Sequence, residues 1–240
     1  VCSSDLSNPV GHLRAHRSYT HALLTQMLLA FPLAWFSMRK ISGEITTKSW
    51  YVFWLTAMVT HALLDCCTNY GTRLLLPFSS YQVSFNTISV VDPLYTIPFL
   101  LLLSIAFLLP RNSIARRRFF RASIIVSSCY FLFTVYMKYQ AQTTFKKSLQ
   151  SERIVYDDLN TTPTMLNSVL WSAVAFNDSM LYVGEYSFLK KAEKVRWVPF
   201  KRNTSLLRNY ACRDLETIKW FGDGSWFVEK SGEEIGRAHV

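Results

Sequence analysis

The sequence VVDPLYTIPFLLLLSIAFLL, residues 90–109, decides the fold. As a helix rising about 1.5 Å per residue it spans about 30 Å, the thickness of the hydrocarbon core of a bilayer. Three comparable apolar runs are Ala22–Met38, Trp50–Leu64 and Ile124–Met137, with Phe119 and Phe120 ahead of the last. A buried core explains one such run but not four in succession. The sequence therefore predicts an α-helical polytopic membrane domain, residues 7–137, with four spans.

The composition agrees with this prediction. Of 240 residues, 50% are hydrophobic and 18% are charged, whereas soluble domains carry about 25% charged residues. These totals exclude a disordered tail and a small disulfide scaffold. The formal net charge of +10 raises the possibility of a nucleic-acid partner.

The positions of the basic residues argue against that partner. The loops Arg39–Ser49 and Arg111–Arg121 are both rich in basic residues, and counting spans places them on the same face of the membrane. The positive-inside rule makes that face cytoplasmic. The basic excess therefore sets the topology, and we expect no nucleic acid among the partners. The segment before Ala22, the loop 66–89 and everything after Met137 then lie on the non-cytoplasmic face.

From Lys138 onward the composition changes to mixed charge, which predicts a small β-rich extramembrane domain over residues 138–234. One hairpin is predicted from Ser168–Phe176 and Leu181–Phe188 around Asn177-Asp178, and a second from Thr217–Phe221 and Ser225–Val228 around Gly222-Asp223-Gly224. Four tryptophans are expected to pack in its core: Trp171, Trp197, Trp220 and Trp226.

The two ends of the chain have the sequence of translated sequencing adapter. Val1–Leu6 and Ile235–Val240 can be encoded by one common adapter and by its reverse complement, a relation that selection on a protein has no reason to produce. We interpret residues 1–6 and 235–240 as artefact and exclude them from the fold. The remaining chain is expected to be an internal fragment that lacks its true start and end.

Three histidines and one aspartate gather in two short motifs beside the predicted spans. His16 and His21 precede the first span, and His61 and Asp65 close the second, four residues apart on one helix face. Both motifs therefore meet the membrane at the same face. Placing ionisable groups in or beside membrane spans costs free energy, and such groups usually mark a functional site. The two motifs are therefore a candidate functional site. Three imidazoles and a carboxylate suit zinc or another first-row divalent ion that activates a water molecule.

Two further residues are candidates for roles in catalysis. Asp92 opens the third span at the same face and is predicted to orient a ligand or to act as a base. Arg17, beside His16, is predicted to face an anionic substrate.

Each of these residues also has a plainer interpretation. His61 and Asp65 can form an interhelical hydrogen-bonding pair. Asp92 before Pro93 fits a helix N-cap followed by proline at the first helical position, and Arg17 can extend to lipid headgroups. The four cysteines outside the adapter sequence are interpreted as small apolar residues rather than ligands: Cys66, Cys67, Cys129 and Cys212.

These motifs, taken in order, resemble the YdjM-like family of bacterial inner-membrane proteins, which are regarded as metal-dependent hydrolases. The resemblance covers most of Arg14–Leu109, and a later stretch, Leu166–Phe188, resembles the tail domain of some members. The matching residues are His16-Arg17-x-x-Thr20-His21, His61-x-x-x-Asp65-x-x-x-Asn69-Tyr70-Gly71-Thr72, Pro77-Phe78-Ser79 and Asp92-Pro93-Leu94.

The resemblance implies a multi-pass protein of the bacterial inner membrane that hydrolyses its substrate with a metal-activated water. Distant similarity to zinc phospholipase C and P1-type nucleases implies a phosphoester or lipid-derived substrate. Family members usually carry an earlier acidic Pro-Asp motif, which does not occur ahead of His16 in this sequence.

Two hypotheses follow from the sequence. In the first, the chain is a membrane-bound metallohydrolase with zinc as the expected ion, held by His16, His21, His61 and Asp65. In the second, it is a non-enzymatic inner-membrane protein whose polar cluster is structural and whose tail domain binds a protein partner.

Overall fold

The computed structural model describes residues 19–41, 45–190, 194–207, 213–222, 224–228, 230–231 and 234–235. The chain divides into two compact units. Within the described residues, the first comprises those up to Phe85 together with 213–222, and the second those from Asn86 to 207 together with those from Gly224 onward.

The first unit is built on two long helices. A 3₁₀ turn at Tyr19–His21 leads into α1 (Leu23–Lys40), and α2 (Thr47–Cys66) follows a short connection. Ala30, Ala34 and Ser37 are buried along one stripe of α1, where small side chains allow α2 to pack closely. Trp54 Nε1 in α2 donates a hydrogen bond to Ser37 Oγ at 2.9 Å. This contact ties the two helices together.

The second unit begins with a helix pair. Asp92 caps α3 (Pro93–Leu108), since its carboxylate accepts a hydrogen bond from the backbone N–H of Leu94 at 3.0 Å. The adjacent α4 (Ile114–Ser151) is a continuous helix of 38 residues, so the domain boundary predicted between Met137 and Lys138 falls inside it.

A four-stranded antiparallel sheet packs against the second half of α4. Its strands are β1 (Asp158–Pro163), β2 (Leu170–Phe176), β3 (Met180–Ser187) and β4 (Arg196–Lys201), in the order β1-β2-β3-β4. The helix contributes four core residues at four-residue spacing, which are Met137, Ala141, Phe145 and Leu149. Trp171 and Trp197 pack with them from the sheet. A short ladder of β5 (Lys230–Ser231) and β6 (Glu234–Ile235) completes the described strands, and its last residue, Ile235, belongs to the segment interpreted as adapter sequence.

The predicted fold class is confirmed in its coarse form, as a helical region followed along the chain by a small antiparallel sheet. Among the described helices, α4 is long and apolar enough to cross a membrane, while α3 is apolar but shorter. The first predicted hairpin is confirmed, because β2 pairs with β3 on either side of Asn177.

The second predicted hairpin is wrong. Residues Arg213–Phe221 form a helix, α5, and Ser225–Val228 have no strand assignment. Within this helix, Lys219 and Glu216 form an ion pair at 3.2 Å. Opposite charges three residues apart in the sequence favour a helical turn. The stretch after Gly224 is held by Arg202, whose Nε donates to the carbonyl oxygen of Trp226 at 3.2 Å.

The tryptophans also divide between two environments. Trp171 and Trp197 are buried in the core, as predicted. Trp220 instead lies in the first unit, where the Arg73 guanidinium sits 3.9 Å from its ring centroid. Trp226 is half-buried against Arg202.

Candidate metal centre

His21 reaches the candidate site from the 3₁₀ turn that precedes α1. The turn packs against both α1 and α2 of the first unit. Ala22, which follows, is fully buried, and the backbone N–H of Leu23 donates to the carbonyl oxygen of Leu74 at 3.0 Å. These contacts fix the backbone on either side of the imidazole, so His21 approaches α2 from a defined direction.

His61 and Asp65 come from the last two turns of α2. Their four-residue spacing places them on the same face, as the sequence predicted, and His61 Nε2 lies 3.6 Å from Asp65 Oδ2. His21 Nε2 lies 3.2 Å from the same carboxylate oxygen. Asp65 Oδ2 is therefore the point at which both imidazoles meet.

The three side chains form a compact cluster. Their potential ligand atoms all lie within 4.8 Å of one another, and the two imidazole centroids are 5.4 Å apart with the rings tilted by 38°. The side chains of His21 and Asp65 are 19% and 14% exposed, whereas that of His61 is 66% exposed. One side of the cluster is therefore open to a ligand, while the other is packed.

Thr20 provides an outer contact to the cluster. Its Oγ1 lies 2.9 Å from His21 Nδ1, the ring nitrogen that faces away from Asp65. When Nδ1 carries the proton, it donates a hydrogen bond to Thr20 Oγ1. The lone pair of Nε2 is then directed at the cluster. An outer partner of this kind fixes the tautomer of a metal-ligating histidine.

The segment after α2 secures the end of that helix. Thr68 Oγ1 donates to the carbonyl oxygen of Asp65 at 2.8 Å, and the backbone N–H of Phe85 donates to the carbonyl oxygen of Cys66 at 2.7 Å. Gly71 adopts a φ of +67°, and a Cβ there would lie 2.7 Å from Gln82 Cγ. The chain therefore turns at Asn69–Thr72, and only glycine fits the third position of this segment without strain.

The structure also places the other candidate residues. His16 and Arg17 lie outside the described residues. Asp92 belongs to the second unit, where it is 2% exposed. Its Oδ2 accepts hydrogen bonds from Ser168 Oγ at 2.7 Å and from Tyr130 Oη at 2.9 Å. The N-cap interpretation is confirmed, and the proposed catalytic role stays a prediction.

Sequence reasoning missed the partners that support these residues. Because Thr20 directly precedes His21, the hydrogen bond between their side chains could have been predicted from the sequence. Nothing in the local sequence indicates that Tyr130 and Ser168 meet Asp92, because 38 residues separate Tyr130 from each of the other two.

An apolar helical region that carries a His–His–Asp cluster, followed along the chain by a small antiparallel sheet, defines an α-helical protein with an appended β domain. The sequence profile of the YdjM inner membrane protein family matches residues 1–141, and the chain belongs to this family. The predicted family resemblance is thus confirmed, and membership supports a location in the inner membrane. Neither the comparison with curated proteins nor that with solved structures finds a match.

Proposed function

We propose that this chain is a multi-pass inner-membrane hydrolase in which His21, His61 and Asp65 hold a divalent metal ion. The observation that carries the proposal is the convergence of two imidazole nitrogens on one carboxylate oxygen, at 3.2 and 3.6 Å. Two of these residues lie on α2 and the third on a separate turn, so the cluster is a product of the packing of this unit rather than of sequence proximity.

The donor set fits a first-row divalent ion. Two ligand atoms on one tetrahedral zinc ion lie about 3.3–3.4 Å apart, because each metal–ligand bond is about 2.0–2.1 Å. The distances to Asp65 Oδ2 are close to this value. Imidazole and carboxylate are the ligand types of catalytic zinc sites, which keep a position for water or substrate beside the protein ligands. The exposed side of His61 supplies such an opening.

When bound, the ion supplies Lewis acidity and a water nucleophile at neutral pH. The protein's own residues position and orient the ligands of the ion. Asp65 brings a negative charge between the two imidazoles, and Thr20 orients His21. His16 is proposed as a fourth ligand and Arg17 as the group that faces an anionic substrate. Asp92 is proposed to orient a ligand or to act as a base.

We also propose that four helices span the membrane. The support is the distribution of side chains, in which small and polar residues are buried and large apolar residues are exposed. In α4 the buried positions ahead of the sheet contact are small and polar, namely Ser123, Ser127 and Thr134. The exposed positions of the same stretch include Ile125 and Leu132, at 60% and 66%. A water-soluble helix shows the opposite pattern, whereas lipid as the surrounding solvent favours this one.

The helices α1 and α3 follow the same rule. The buried residues of α1 are Gln26, Ala30, Ala34 and Ser37, while its exposed residues include Leu28, Phe31 and Phe36. Among its aliphatic and aromatic side chains, α3 buries Ala106 and exposes Phe107 and Leu108 at 70% and 87%. The helices α1, α2 and α3 are 18, 20 and 16 residues long, which corresponds to about 27, 30 and 24 Å. These lengths are compatible with a bilayer of about 30 Å, with thinning at α3.

The proposed topology places the metal cluster and the sheet domain on the non-cytoplasmic face. A site at that interface meets both water and lipid headgroups, which suits a phosphoester or lipid-derived substrate. The basic loop Arg111–Arg121 then lies on the cytoplasmic face.

Metal analysis of the full chain tests the proposal. The chain is purified in detergent after growth with zinc, and bound metals are measured by elemental mass spectrometry. We expect stoichiometric metal in the wild type and its loss in His61→Ala and Asp65→Ala. Because the His61 side chain is largely exposed, its removal leaves the packing of α2 intact.

Cys67→Ser is the matched control, since Cys67 lies near the cluster but is not proposed as a ligand. This variant is expected to retain the metal. The same preparations are then assayed with chromogenic phosphomonoester and phosphodiester substrates. Equal metal content in the wild type and in both ligand variants would refute the metal site and favour the alternative, a non-enzymatic inner-membrane protein whose tail domain binds a partner.

A further inference from the structure

A second candidate binding site lies in the second unit, where the loop between α3 and α4 meets both helices. It is a cavity of about 330 Å³. Four arginines line it together with apolar residues: Arg111, Arg116, Arg117 and Arg121, with Phe107 and Phe120 among the apolar ones. This combination of concentrated positive charge and aromatic surface is distinct from the metal cluster, which belongs to the first unit.

Within the described residues, no carboxylate balances the positive charge of this cavity. The sequence contains no Asp or Glu between Asp92 and Glu152, and in the described part of the chain no carboxylate forms an ion pair with any of the four arginines. Guanidinium groups held around one cavity repel one another, so an anion that binds there lowers the electrostatic energy.

The spacing of these arginines along α4 and the contacts of Arg116 bring several guanidinium donors to one cavity. Arg117 and Arg121 are one helical turn apart and share a face of α4. Arg116 is half-buried, its Nη1 donates to the carbonyl oxygen of Leu109 at 3.4 Å, and its Cζ lies 6.0 Å from the centroid of Phe107. Those contacts hold Arg116 at the cavity wall. Planar, multidentate guanidinium donors match phosphate oxygens well.

The surroundings distinguish a lipid phosphate from a soluble one. Phe107 and Leu108 at the end of α3 are 70% and 87% exposed, and Ile97 and Leu101 farther along α3 are 63% and 59% exposed. An apolar surface therefore runs from the cavity along the helix. A ligand with a phosphate group and acyl chains satisfies both surfaces at once, and basic pockets between membrane helices recognise anionic headgroups.

We propose that this cavity binds the phosphate of an anionic phospholipid, with the acyl chains along the exposed face of α3. This inference rests on the proposed membrane placement of α3 and α4 and is independent of the metal site. It also gives the basic loop a role beyond setting the topology, because a purely topogenic loop needs no cavity.

The test measures lipid retention by the full chain in detergent. Dioleoyl phosphatidylglycerol or dioleoyl phosphatidylcholine is added, and bound lipid is counted by native mass spectrometry. We expect preferential retention of phosphatidylglycerol, and a reduction of about fivefold in Arg116→Gln and in Arg117→Gln, the change expected for one basic group at a lipid headgroup.

Arg118→Gln is the matched control. Arg118 is exposed, belongs to the same run and carries the same charge, but does not line the cavity. We expect it to retain phosphatidylglycerol to within about twofold of the wild type, as for a basic residue outside the contact. Equal losses in all three variants would show diffuse attraction and overturn the proposal.

Two further outcomes also decide against the lipid. Equal retention of phosphatidylcholine and phosphatidylglycerol would show that the headgroup needs no net negative charge, which contradicts the proposal. Displacement of phosphatidylglycerol by millimolar inorganic phosphate would assign the cavity to a soluble anion. Circular dichroism and metal content, measured on every variant, separate a folding defect or the failure of the metal site from the failure of this inference.

Discussion

The buried carboxylate of Asp92 offers the sharpest test of how the second unit is held together. The side chain is 2% exposed. Its Oδ1 caps α3 through the N–H of Leu94 at 3.0 Å, and its Oδ2 accepts from Tyr130 Oη at 2.9 Å and from Ser168 Oγ at 2.7 Å. One residue thus joins the start of α3, the middle of α4 and the approach to β2.

The cost of Asp92→Ala follows from these contacts. An N-cap contributes about 1 kcal/mol, and a hydrogen bond to a charged group about 1.5–3 kcal/mol. The full sum overestimates the loss, because Tyr130 Oη and Ser168 Oγ also lie 3.2 Å apart and can bond each other. We expect a decrease of about 3–5 kcal/mol in the free energy of unfolding. Asp92→Asn keeps a good cap and is expected to cost about 1–2 kcal/mol.

The assay is reversible unfolding of the full chain in mixed micelles, followed by far-UV circular dichroism. A double-mutant cycle with Ser168→Ala isolates the contact, and we expect a coupling energy of about 1–2 kcal/mol. Tyr130→Phe provides the parallel single change on α4. Additive effects of Asp92→Ala and Ser168→Ala, or an Asp92→Ala variant as stable as the wild type, would refute this reasoning.

Four further predictions follow. Phe145→Ala empties a fully buried position beside Trp197 and should lower the unfolding free energy by about 3–5 kcal/mol, while Phe145→Leu costs less; denaturation followed by tryptophan fluorescence checks both. Gly184→Ala places a Cβ 2.8 Å from Trp197 Cε3, and the same assay should show a loss of about 1–3 kcal/mol. Thr20→Val should weaken zinc affinity about tenfold in a competition titration, whereas Thr20→Ser should not. In intact cells a membrane-impermeant maleimide should label Tyr81→Cys but not Asn112→Cys above the background of the native cysteines; the opposite pattern would reverse the proposed topology.

The sequence predicts those features that depend on neighbours within one or two turns. The cap at Asp92-Pro93, the shared face of His61 and Asp65, and the hairpin at Asn177 all follow from local spacing. Each is set by backbone stereochemistry, which acts over a few residues.

The rest depends on contacts distant in sequence. The apolar run ends at Met137, yet α4 continues to Ser151 because Ala141, Phe145 and Leu149 find a partner surface in the sheet. The error at α5 has a different, local origin. The short window Thr217–Phe221 alternates in the manner of a strand, whereas the ion pair at the spacing of Glu216 and Lys219 favours a turn of helix.

The candidate site divides in the same way. The sequence identifies His21, His61 and Asp65 by residue type and by the parity of the spans. Their actual distances depend on how the turn at Tyr19–His21 packs against α2, and that packing involves buried residues such as Ala22, which carry no functional signal of their own.

The uninterrupted course of α4 has a mechanical consequence. Its 38 residues make a rod of about 57 Å, nearly twice the depth of the hydrocarbon core. The helix is continuous from the half proposed to lie in lipid to the half that packs against the strands. With α4 placed in the bilayer as proposed, a change in bilayer thickness that alters the tilt of this helix would move the β domain with it as a rigid body.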